Sequence, residues 1–210
     1  MAEEHAYSPF DRNNERWPTK GDRIFSAGRD ARPADSIGER NYRLGKGYKL
    51  AGDVLVGNFL GEPRDHDNLI YPILYCYRHY IEVALKEIVE DHGQWMGITL
   101  SKKDHNLREL WKLFLQIALA YHHDPSNEAA IVVSNCIEEF AQVDPGSFAF
   151  RYARDKRSDA LIPLGFGAID LVNVLDVMNG IQNFFECSDL DFNHKRDVAC
   201  EIAAADSLYG

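Results

Sequence analysis

The sequence lacks the spacings that announce most enzyme classes. It has no C-x-x-C pair, no Walker or dinucleotide glycine loop and no nucleophile elbow. Zinc ribbons, thioredoxin-type redox sites, P-loop NTPases, Rossmann dehydrogenases and α/β-hydrolases are thereby excluded by motif. No run approaches the ~18 consecutive apolar residues of a membrane helix. Met1-Ala2-Glu3-Glu4-His5 lacks the basic-then-apolar start of a signal peptide. A cytoplasmic protein with no membrane partner is expected. Cysteine is scarce: Cys76, Cys136, Cys187 and Cys200 are isolated singletons, read as reduced structural thiols. No cofactor or metal is expected.

What is present is charge, unevenly spread. The 210 residues carry 33 acidic and 23 basic side chains, net −10. Residues 1–50 hold 10 basic and 8 acidic groups, so the acidic excess belongs entirely to the remainder. Residues 1–47 combine Pro9, Pro18 and Pro33 with five glycines and seven arginines, without a helical or strand period. They read as an irregular arm, docked on its own domain or engaging another subunit or nucleic acid.

From Tyr48 the apolar period is helical, so the expected fold is all-α, a four- to five-helix up-and-down bundle over 48–190 with a C-terminal helix or tail over 191–210. The spacing predicts helices over 48–61 and 68–91, a third capped by Asp104 and ending near His122, and a fourth starting at Ser126 or Asn127. A fifth covers 166–187, and a short one covers about 192–206. The fifth is apolar around most of its circumference, which predicts a central position or a subunit interface, hence a homodimer or partner-protein complex. Its polar Asp176, Asn179 and Asn183 read as an interface network or a pocket wall. The predicted core includes Leu74, Ile81, Leu85, Leu110, Trp111, Phe114, Val133, Ile137, Phe140, Val172, Leu175 and Met178. Between helices four and five, Ser147-Phe148-Ala149-Phe150-Arg151-Tyr152 alternates with period two and predicts a small β-hairpin.

Candidate chemistry sits in three places. On helix two, Arg78 borders the apolar stripe and can pair with Glu82, while His79 points away from it. At the start of helix three, His105 and Arg108 are three residues apart, so both could address one phosphate. In the hairpin segment Arg151, Arg154, Lys156 and Arg157 interleave with Phe148, Phe150 and Tyr152, a composition that can bind phosphates and stack bases of a single strand. His122-His123-Asp124 fits a helix C-terminus better than a metal site.

Tyr71-Pro72 leading into Leu74-Tyr75-Cys76-Tyr77-Arg78-His79-Tyr80-Ile81-Glu82, then His105-Asn106-Leu107-Arg108-Glu109-Leu110-Trp111 and Phe150-Arg151-Tyr152, resembles bacterial helical proteins of the HEPN superfamily. The resemblance spans residues 66–190. It implies a four- or five-helix bundle that dimerises and binds RNA, or cleaves it without metal, in a defence, toxin-antitoxin or RNA-processing system. The alternative it leaves is a noncatalytic interaction or regulatory subunit. The superfamily's arginine, four to six residues, then histidine does not occur in this chain. No catalytic position carries over, and a site would have to be assembled in space from Arg78, His79, His105, Arg108 and Arg151.

Overall fold

The structure, a computed structural model, describes residues 20, 24, 31–61, 66–100, 105–155, 159, 161–165 and 167–209. Most of the predicted arm, together with Lys156 and Arg157, lies outside the described residues. The chain divides between Pro33 and Ala34, and the second unit is the one described below.

Among the described residues five α-helices follow one another: α1 Ile37–Gly61, α2 His66–Gly93, α3 Leu107–Ala120, α4 Glu128–Val143 and α5 Leu171–Tyr209, with a 3₁₀ turn at Gln94–Met96 after α2. Their starts are written in short polar side chains. Ser36 Oγ accepts the Glu39 amide at 3.2 Å and its carbonyl accepts the Arg40 amide at 3.0 Å, so an S-x-x-E start launches α1. That is eleven residues ahead of Tyr48, inside the stretch read as irregular. Asn106 Oδ1 takes the Arg108 amide and Asn127 Oδ1 the Ala130 amide, capping α3 and α4. Asp104, the predicted cap, lies outside the described residues. Asp170 Oδ1 accepts the amides of Val172 and Asn173 and opens α5, which continues without interruption to Tyr209 rather than breaking before residue 192.

The helices do not simply alternate. Residue pairs Asn41–Glu90 and Gly52–Tyr77 make α1 and α2 antiparallel. Arg78 meets His105 before α3, whereas His92 near the end of α2 meets Tyr121 just after α3, so α2 and α3 run parallel. The connection between the end of α2 and the start of α3 has to cross over for this. Arg108–Glu138 and Trp111–Ser134 set α3 antiparallel to α4. Lys49–Asn179 and Lys46–Glu186 set α5 antiparallel to α1. The all-α bundle therefore stands, with one crossover, between α2 and α3, in place of a strict up-and-down order.

Its core joins all five helices through Val56, Tyr77, Ile81, Leu85, Leu110, Phe114, Ile137, Met178, Phe185 and Phe192. Close approach of α1 to α2 needs Gly52, because a Cβ there would lie 2.5 Å from the buried Tyr77 ring. Lys49, only 3% exposed, is neutralised by Asp53 at 2.8 Å, with Asn179 Oδ1 at 2.7 Å. Tyr77 donates to the same Asp53 carboxylate, which ties α1, α2 and α5 together. Asn179, read as an interface or pocket residue, is thus an internal ligand of a buried lysine.

Two expectations are corrected. The segment around 148–152 is not a strand: Arg151 and Tyr152 donate backbone N–H bonds to the Phe148 carbonyl, forming a helical turn. Among the described residues no hairpin exists, only a single antiparallel bridge between Arg154 and Leu161. Asp144 decides this locally, since its Oδ1 captures the amides of Phe148 and Ala149 that a ladder would need. Second, α5 leaves part of its apolar surface exposed, including one residue expected in the core. Leu171, Met178, Ile181, Phe185 and Phe192 face the core, whereas Val172, Leu190, Val198 and Ile202 are exposed, Val172 against expectation.

Candidate functional site

The first predicted cluster is an interior one. Arg78 is fully buried, not at the rim, and all three guanidinium nitrogens are engaged: Nη1 donates to Glu82 Oε2 at 2.8 Å, Nη2 to the His105 carbonyl at 2.9 Å and Nε to the Asp144 carbonyl at 3.1 Å. The expected i,i+4 pair with Glu82 therefore forms, but in the core. Glu82 also receives Lys86 Nζ at 2.8 Å and shares a 2.6 Å hydrogen bond with His105 Nδ1. Burial alone would raise the Glu82 pKa; the hydrogen bonds from Lys86, His105 and Arg78 overcome it and hold the carboxyl at about 2. This is a saturated charge network. It locks the approach to α3 onto α2, and Arg78 has no face left for a ligand.

Arg108 is directed elsewhere. Its Nε and Nη2 each lie 2.7 Å from a Glu138 oxygen, a bidentate clasp between α3 and α4. The paired hydrogen bonds from Arg108 and then Gln142 lower the Glu138 pKa to about 2. His105 and Arg108 thus answer to different carboxylates, and the shared phosphate site expected from their spacing is not assembled.

The third cluster is different in kind. Arg151 is exposed, and its guanidinium carbon lies 5.6 Å from the Tyr75 ring centroid, 5.3 Å from Phe148 and 5.6 Å from Tyr152. These distances place a cation over aromatic faces. Nε donates to the Ser147 carbonyl at 2.8 Å and Nη2 donates to the same oxygen, which pins the group. Ser147 reaches this position with φ of 60°, a left-handed conformation uncommon for a residue with a Cβ.

Behind Tyr75 stands His79. The two rings stack at 5.6 Å and 12°, and Tyr48 closes on the imidazole edge-on at 4.3 Å. Burial lowers the His79 pKa, with Arg78, Lys86 and Arg151 adding to that effect against Glu82, and its Nδ1 is buried without a hydrogen-bond partner. His79 is therefore a neutral, half-buried ring in an aromatic cluster, not the solvent-facing group expected from the helical wheel. Beside Arg151 opens a groove of about 590 Å³ whose lining includes Tyr71, Phe150, Tyr152, Leu161 and Pro163. Arg154 sits outside the groove, paired with exposed Asp159 at 2.9 Å.

The structure thus gathers Arg151, Tyr152 and His79 onto one side, and keeps Arg78, Arg108 and His105 out of it. Sequence reasoning missed Tyr75, Tyr48, Tyr71 and Ser147. A signal existed for two of these four: Tyr71 and Tyr75 recur with His79 every fourth residue and form a ring stripe along α2, whereas Tyr48 meets that stripe only through the packing of α1. Ser147 had none, because its role depends on a backbone carbonyl. Compared with known proteins, the chain matches no family model, no curated protein and no solved structure.

Proposed function

We propose that the chain is a noncatalytic, HEPN-like binding module of the cytoplasm that takes single-stranded RNA on the Arg151 platform, within a defence or toxin-antitoxin type system. The observation that carries this reading is the exposed guanidinium framed by three aromatic rings. Aromatic faces stack bases of any identity and a fixed cation meets the phosphate between them, a combination suited to single strands. With net charge −10 the rest of the surface repels a polyanion, so contact is confined to this patch and few counterions are released. Against catalysis, His105 is tied to Glu82 and Arg78 is spent inside.

Titration of a fluorescein-labelled 12-nucleotide single strand tests the reading by anisotropy. Wild type binds, and Arg151→Gln and Tyr152→Ala each weaken binding about tenfold or more. Equal affinity in all three removes the proposal.

One observation favours the metal-independent ribonuclease reading: a neutral imidazole, His79, lies in the same cluster as Arg151. A general base and a cation are the groups such a reaction requires. Cleavage of the same strand in EDTA, lost in His79→Gln, would establish it; intact RNA leaves the binding reading alone. Association, as a homodimer or with a partner protein, would cover the exposed Leu190, Val198 and Ile202 of α5. Light scattering of wild type against Ile202→Glu tests that.

A further inference from the structure

We propose that Asp144, held by Arg78, is a positioning residue that sets the Arg151 guanidinium against its rings; this rests on the reading of Arg151 as the binding centre. Asp144 is 1% exposed and closes α4, its amide donating to the Phe140 carbonyl at 2.9 Å. A buried carboxylate is costly unless its oxygens are used. Here Oδ1 accepts two successive amides, Phe148 at 2.5 Å and Ala149 at 2.9 Å. Oδ2 has no hydrogen bond, but lies 3.3 Å from Arg78 Nε as an ion pair. The same Nε donates to the Asp144 carbonyl, so one guanidinium grips the residue at both backbone and side chain.

The consequence appears one residue before the captured amides. With Asp144 on one side and the Phe148 and Ala149 amides drawn to its carboxylate, Ser147 is held at φ 60° and presents its carbonyl to Arg151 Nε and Nη2. Phe148, whose amide is captured, is itself one of the three rings over the cation. A continuous set of contacts therefore runs from the core of α2, through Arg78 and Asp144, to the exposed platform. Arg78 acts on the ligand only through Asp144. The sequence-level candidates Arg78 and Arg151 belong to one device in different capacities.

The experiment uses the full chain labelled with ¹⁵N. The Arg151 Nε–H correlation, assigned by its loss in Arg151→Gln, should exchange slowly with water because Nε–H is bonded to Ser147. Asp144→Ala should shift that correlation and speed its exchange while the far-ultraviolet circular dichroism stays helical. The same variant should bind the labelled single strand about tenfold more weakly. Asp144→Asn keeps an acceptor for both amides and should restore the correlation and most of the affinity. A merely structural role for Asp144 would lower the melting temperature without moving the Arg151 signal.

The inference is overturned if folded Asp144→Ala keeps the wild-type Nε–H signal, or binds RNA as wild type does while Arg151→Gln does not. Should Asp144→Ala fail to fold, Asp144→Ser, which retains one short acceptor, decides on the same two readouts. If Arg151→Gln itself leaves RNA affinity unchanged, the RNA reading falls, and the Nε–H signal alone decides whether Asp144 positions Arg151.

Discussion

Arg78 and Arg151 both stand among aromatic residues in the sequence, Arg78 beside tyrosines and Arg151 between Phe150 and Tyr152, yet they occupy opposite situations. Around Arg78 full burial and three carbonyl or carboxylate partners engage all three guanidinium nitrogens. Around Arg151 one carbonyl holds the group from behind, and rings frame its faces in an exposed position. The difference teaches that an arginine becomes a ligand site according to what its neighbours leave uncovered, not according to the residue types alone. On the proposed reading the interior region supplies stability and the exterior one recognition, so substitutions in the two should separate those properties.

The largest effect is expected from Arg78→Met. It removes the buried cation shared by Glu82 and Asp144, leaving Asp144 Oδ2 with no partner and Glu82 with only Lys86 and His105, and should cost about 3–5 kcal/mol in urea unfolding. A midpoint equal to wild type would mean that water enters the network. Next comes acid. Because the folded-state pKa of Glu82 is lowered from 4.5 to about 2, its contribution is complete above pH 4.5 and is lost as pH falls through that window. On the order of 3 kcal/mol is at stake. The stability difference between wild type and Glu82→Gln should therefore slope only below pH 4.5, and a slope near neutrality would contradict the assignment.

Gly52→Ala sharpens the interior side by packing rather than charge. The added methyl meets the Tyr77 ring, and a loss of about 1–3 kcal/mol in thermal unfolding is expected. The smallest stability effect should be that of Arg151→Gln, about 1 kcal/mol or less, since it gives up contacts with partly exposed rings and hydrogen bonds to the carbonyl of buried Ser147. If Arg151→Gln instead unfolds the protein, the platform is a structural clamp and the comparison collapses.

Much of the interior was legible in the sequence, because periodicity reports burial. The stripe through Ile73, Tyr77, Ile81, Leu85 and Ile88 places α2, and the Arg78–Glu82 pair follows from i,i+4 spacing, although its burial does not. The misreadings share a physical cause: local side-chain hydrogen bonds overrode periodicity. Ser36 and Glu39 start α1 where glycines mask the apolar pattern, and Asp144 turns an alternating strand-like run into a helical turn. The parallel placement of α2 and α3 rests on a crossover whose direction no helical wheel encodes. The platform was half visible, with Arg151 and Tyr152 chosen for composition and His79 for its chemistry, while the meeting of Arg151 with Tyr75 across α2 required the packing.

The most direct test of recognition at the platform is the salt dependence of single-strand binding, measured by anisotropy for wild type and Arg151→Gln in parallel. Removal of one phosphate-contacting cation should weaken binding about tenfold and make the plot of log affinity against log salt shallower by about 0.7. Two coincident lines would contradict the account.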